Sequence, residues 1–163
     1  MPRFDAAKMN YKILFLCRMF LGLVFAYSGF TKLMDPVENF QGVMASYEII
    51  PYAVIPLLAH VVPWIEFLFG VFMILGYLPR LSALVLGAMS WSFVVLIVAT
   101  RVVTGSVPPD CGCFGEGSLI HLQPYQVLVM DIGNAFFAIC LALRKDHPFS
   151  LAAFLKSKPR AAR

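Results

Sequence analysis

The sequence predicts an all-α integral membrane protein, a four-helix transmembrane bundle with both termini in the cytoplasm. Three observations predict it. The 163 residues are 60% hydrophobic, with a mean hydropathy of +0.80. Charged residues make up 13%, where soluble domains carry about 25%. Four apolar stretches stand out, at 13–33, 53–78, 81–103 and 125–143, each near the ~20 residues that cross a ~30 Å hydrocarbon layer. Glycine and proline inside them are tolerated, because neighbouring helices re-satisfy freed backbone groups. No repeat or low-complexity segment is visible, and the length suits one small bundle.

The basic residues orient the bundle. Arg3, Lys8 and Lys12 precede the first span, and Arg80 lies in the tight turn between the second and third. Arg144, Lys145, Lys156, Lys158, Arg160 and Arg163 follow the fourth. The other two connections, Met34–Tyr52 and Thr104–Pro124, contain no Lys or Arg and carry Asp35, Glu38, Glu48, Asp110 and Glu116. Positive charge collects on the cytoplasmic side of a membrane. Residues 1–12 and the tail 144–163 are therefore expected in the cytoplasm of a bacterial inner-membrane protein. The net charge of +4 then reports topology rather than nucleic-acid binding. Phe149, Leu151, Phe154 and Leu155 give the tail apolar anchors for anionic inner-leaflet lipid. The opening run can also be read as a signal peptide cut near Ala26-Tyr27-Ser28. Arg18 within the run and bulky Phe25 and Tyr27 at the site argue against it.

In the first span, Arg18 and Lys32 are fourteen residues apart, about four helical turns, and so share a face. Ser28 lies one turn before Lys32, while Gly22 and Gly29 between them allow another helix to approach closely. The segment Pro36–Ile50 is too short to span. It reads as an amphipathic helix on the outer surface or a loop folded over the bundle. The second span carries Glu66 after Pro63-Trp64, the third ends at Arg101, and the fourth carries Asp131 and Asn134 in its outer half. Intramembrane ionisable groups are expensive and imply a partner or a function. Lys32, Arg101 and Asp131 fall near the outward end, with Glu66 deeper, so a polar cluster floored by Glu66 is expected there. Arg18 and Arg101 read as ion pairs fixing helix register, or as side chains snorkelling to the interface. For Lys32, Glu66 and Asp131 a proton-handling role and a permanent counter-ion role both stay open.

The connection before the fourth span holds Asp110-Cys111-Gly112-Cys113-Phe114-Gly115. A disulfide wants its Cα atoms about 4.4–6.8 Å apart. Gly112 supplies the bend a ring this small requires. Strained, exposed disulfides are the easily reduced ones. Three readings are open: a redox-active pair, an inert structural disulfide, or half of a soft-metal site with His121 or His60. A structural role is weak because so short a loop removes little unfolded-state entropy. A metal role is weak because closed zinc sites want four ligands, so no metal is assigned. The outward position between spans favours redox work, with Phe114 anchoring the loop. Cys17 and Cys140, in spans one and four, read as small packing residues.

Several segments together resemble a known family. The run from Arg18 to Pro36, with Gly22, Phe25, Ser28, Gly29, Lys32, Leu33 and Asp35, resembles the opening of the DoxX-like superfamily. Pro63-Trp64-Ile65-Glu66 followed by Gly70 resembles its second helix. The Cys-Gly-Cys-Phe-Gly loop is similar to the MauE branch, the methylamine utilisation membrane proteins. The resemblance covers most of residues 12–143. It implies a four-helix inner-membrane protein associated with maturation of the disulfide-rich small subunit of methylamine dehydrogenase. It also implies a thioredoxin-like periplasmic partner and, from DoxX-type relatives, a link to quinone.

The reading that follows is a thiol–disulfide redox protein, in which Cys111 and Cys113 exchange electrons with a periplasmic thioredoxin-like or client protein. A quinone under the loop would sit among Lys32, Trp64, Glu66, Phe114 and Asp131. The alternatives are a non-catalytic assembly or chaperone subunit with a structural disulfide, and a small proton-linked transporter using Glu66 and Asp131.

Overall fold

The computed structural model describes residues 11–108 and 123–143. The chain order is α1 (Tyr11–Met34), α2 (Val37–Ala45), α3 (Ile55–Leu75), α4 (Pro79–Thr104) and α5 (Pro124–Ala142). Among the described residues there is no strand. α1, α3, α4 and α5 are each long and apolar enough to cross a membrane. They match the four predicted stretches to within a few residues. Large apolar side chains such as Leu16, Phe20, Leu57, Trp91, Val129 and Phe136 face outward, as a lipid-facing surface requires.

The bundle is built from two tight hairpins, α1 with α3 and α4 with α5, joined along thinner seams between α3 and α4 and between α1 and α5. Small residues set the first hairpin. A Cβ added to Gly29 would strike Phe67 N and lie 2.7 Å from Pro63 O. One on Gly70 would lie 2.5 Å from Ala26 N, and one on Gly22 would lie 2.7 Å from Ile74 Cγ1. Two backbones are therefore in direct contact, the arrangement that small residues allow between membrane helices. At the second hairpin, a Cβ on Gly87 would meet Ala138 Cβ at 2.8 Å.

The turn from α3 to α4 is three residues long. Gly76 adopts φ 67°, its N–H bonds Met73 O, and Tyr77 N–H bonds Phe72 O at 2.9 Å, which is the Schellman ending of a helix. Leu78 is also left-handed, with φ 49°, before Pro79 opens α4. Arg80 then reaches across the end of the bundle and donates from Nε to Ala142 O at 3.3 Å. That places a cation at the negative end of the α5 dipole. At the opposite end, Pro124 and the reciprocal cap between Gln123 and Gln126 start α5.

The segment Pro36–Ile50, expected either on the outer surface or over the bundle, folds onto the bundle through α2. Phe40 and Met44 are buried against Ile55 and Ala59 of α3. Tyr47, just beyond α2, packs with Ile97 of α4 and Val127 of α5. The connection from α4 to α5 therefore leaves and re-enters at the end of the bundle covered by α2.

Replacing Gly29 by Ala is expected to cost about 1–3 kcal/mol, because backbone atoms of α3 cannot step aside. Gly42→Ala, where a Cβ meets nothing within 4 Å, is expected to gain about 0.5–1 kcal/mol. Thermal unfolding of the two variants in the same detergent checks both signs.

Candidate functional site: a buried ion pair under α2

Lys32 and Glu66 form a buried ion pair. Their side chains are each 1% exposed, and Lys32 Nζ lies 2.8 Å from Glu66 Oε2 and 2.9 Å from Oε1. Ser28 Oγ donates to Oε2 at 3.0 Å, so the carboxylate accepts on both oxygens. The close packing of α1 on α3 brings these groups together. Ser28 and Gly29 are neighbours in α1, and the Pro63 and Phe67 atoms against Gly29 flank Glu66 in α3. Glu66 lies eleven residues beyond Ile55, about 16 Å along α3. The lysine stem reaches inward from a level about one turn nearer the helix end.

The ammonium is also covered by two rings. Lys32 Nζ is 4.9 Å from the centroid of Phe40 in α2 and 5.5 Å from that of Phe93 in α4. A desolvated cation over an aromatic face gains about 2 kcal/mol. Asp131 and Asn134 of α5 complete the site. With Val24, Phe25, Phe93 and Met130, they line a cavity of about 20 Å³ together with Ser28, Lys32 and Glu66. That volume suits a single water, which needs about 10–15 Å³. Asn134 is 1% exposed, and among the described residues neither of its amide atoms has a hydrogen-bond partner.

The predicted cluster is thus assembled from Lys32, Glu66 and Asp131, with Glu66 as the counter-ion of Lys32. Trp64 is not among its lining residues. On α3 the inward face runs Pro63, Glu66, Gly70, and Trp64, one residue round from Pro63, is 62% exposed toward lipid. Arg101, expected near the cluster, instead stays at its own helix end, where Nη1 donates to Gly105 O at 2.6 Å. Arg18 is buried at the other end of α1, with its guanidinium 5.2 Å from the Phe15 ring. The loop residues Cys111, Cys113, Phe114 and His121 lie outside the described residues, as does the tail after Leu143. Among the described residues no group of three or more His, Cys, Asp or Glu could hold a metal ion. Sequence reasoning missed Phe40 and Phe93 as cover for the ammonium. It named Asn134 without including it in the site.

Breaking a buried pair by removing one partner costs about 3–5 kcal/mol, whereas replacing both by apolar groups is often neutral. Lys32→Met and Glu66→Leu are each expected to destabilise by that amount. The double variant should recover most of the loss. Denaturation of the four proteins in one detergent gives the coupling energy directly.

The comparisons with known proteins agree with this architecture. The family model described as Methylamine utilisation protein MauE matches residues 10–144. The chain is 29% identical over 143 residues to Methylamine utilization protein MauE of Paracoccus denitrificans, covering 88% of this chain and 74% of that protein. It is 31% identical over 95 residues to the protein of the same name from Methylophilus methylotrophus, covering 58% of this chain and 49% of that one. No solved structure matches the chain. With four helices able to span a bilayer and a family match over most of its length, this multi-pass membrane protein belongs to the MauE family.

Proposed function

We propose that the protein is an inner-membrane thiol–disulfide exchange protein, with Cys111 and Cys113 as its periplasmic redox pair. One observation carries the reading: a Cys-Gly-Cys sequence stands in a connection free of Lys and Arg between two membrane-spanning helices. Two features support it. The basic residues cluster at the other end of the spans, which favours an outward, oxidising side for the loop. The helices that carry the loop are fixed at its roots, by Gly105 ending α4 and by the Gln123–Gln126 cap opening α5.

The reaction is disulfide exchange. A thiolate of the partner attacks one sulfur of the Cys111–Cys113 disulfide, and the other cysteine leaves as a thiolate and takes up a proton. The partner's second thiolate then resolves the mixed disulfide. The partner ends as a disulfide and this chain as a dithiol, and the reverse sequence reduces the partner. Electrons pass between the thiols of the two proteins. The relatives' names refer to methylamine utilisation. The partner that reading favours is a thioredoxin-like protein, or a disulfide-bearing client of the methylamine dehydrogenase type. The Lys32–Glu66 pair serves this role by holding the loop end of the bundle in one arrangement.

Cys113→Ser, or its counterpart Cys111→Ser, should trap a covalent adduct with the partner that dithiothreitol releases. The adduct should be lost in the double serine variant. Non-reducing electrophoresis of alkylated membranes reads this out. Absence of an adduct from both single variants, with normal maturation of periplasmic disulfide proteins in the double variant, rejects the redox role.

A further inference from the structure

The other two cysteines are read from sequence as packing residues, yet the fold brings them together. α1 and α5 run antiparallel and touch. Their contact is marked by Phe20 and Phe137, whose rings meet edge-on with centroids 6.3 Å apart. Cys17 lies three residues before Phe20, and Cys140 three residues after Phe137. Equal and opposite steps along antiparallel helices keep residues level. The two thiols therefore lie at one level, about one turn further toward the end where α1 begins and α5 stops. Leu14, Leu21, Ala138 and Leu141, which flank them in sequence, share one core cluster. The thiols lie within electrostatic reach of one another. Both are free and half-buried.

Their depth matters for chemistry. Ala142, whose carbonyl takes the exposed Arg80 guanidinium, marks the polar level at this end of the bundle. Cys140 is two residues below it, about 3 Å along the axis. A soluble protein at the surface can reach that depth.

We propose that Cys17 and Cys140 form a second dithiol–disulfide couple, at the opposite end of the bundle from the Cys-Gly-Cys loop. Its partner is a thioredoxin-type dithiol protein at that membrane surface. In the oxidising direction, one of the two thiolates attacks a sulfur of the partner's disulfide, and the other partner sulfur leaves and is protonated. The second cysteine gives up its proton and attacks the mixed disulfide at the sulfur of the first, releasing the partner's remaining thiol. Two electrons and two protons pass to the partner, and a Cys17–Cys140 bond remains. The reverse sequence reopens it. The couple does not depend on the role proposed for Cys111 and Cys113.

The chain has four cysteines, so the Cys111→Ser, Cys113→Ser variant leaves only this pair and separates the two proposals. Treated with diamide in lipid nanodiscs, that variant should lose both alkylatable thiols and yield a peptide linking positions 17 and 140. Adding Cys17→Ser or Cys140→Ser should leave one alkylatable thiol. Thioredoxin lacking its resolving cysteine, added to the oxidised protein, should be captured at least tenfold above the level on the cysteine-free chain. Intact reduced thioredoxin should restore both thiols. If both thiols survive diamide in protein that still elutes as folded, the proposal is wrong. It is equally wrong if the bond forms but thioredoxin neither reopens it nor is captured. Should the double serine variant fail to accumulate, peptide mapping of the oxidised native chain decides between the same outcomes.

Discussion

The Lys32–Glu66 pair is the constraint on which the arrangement of helices rests. A charge taken out of water costs several kcal/mol even after relaxation, so each member is tolerable only where the other stands. Lys32 belongs to α1, Glu66 to α3, and the rings over the ammonium belong to α2 and α4. Asp131 and Asn134 of α5 close the remaining side of the same small cavity. Every described helix thus supplies a group to one polar cluster in a largely apolar interior. Apolar packing alone would accept a helix rotated or slid by a turn with little penalty in lipid, where no hydrophobic force acts between helices. The ion pair removes that freedom.

The glycines make the pair possible. Gly22, Gly29 and Gly70 let the α1 and α3 backbones touch, and at that separation Ser28 can donate to Glu66 while Lys32 bridges both of its oxygens. The dependence runs in both directions. Without the short approach the charges would be left poorly paired, and without the charges the small residues would not select a single register.

The four spans were legible because a run of about twenty apolar residues matches the thickness of a bilayer core and exceeds what a buried soluble helix needs. The partners of the buried charges were less so. Spacing places Arg18, Ser28 and Lys32 on one face of α1, but it does not say whether Glu66 meets the first or the last of them. That depends on which α3 residues oppose Gly29, a fact of the fold. Trp64 stands two residues from Glu66 in sequence, yet the two point in different directions around the helix. Phe40 and Phe93 could not be singled out among 15 phenylalanines, since a ring against lipid and a ring over an ammonium look alike in a sequence. Cys17 and Cys140 lie over a hundred residues apart, and only the antiparallel pairing of the first and last helices makes them neighbours. The Cys-Gly-Cys motif reads as redox chemistry through its spacing together with its place between two spans, and it lies outside the described residues.

The unequal packing between helices carries one further implication for mechanics. α1 with α3 interlocks through backbone-to-backbone approach, and α4 with α5 packs closely where Gly87 meets the Ala138 side chain, while the seams between the two pairs are slight. A distortion of this protein would be absorbed first along those seams, as a small rocking of one pair of rods against the other about the three-residue elbow at Gly76–Leu78. Lys32 is anchored within one pair through Glu66 and touches the other through Phe93. The surroundings of the ammonium would therefore register such a tilt before the grip between rods of either pair loosened.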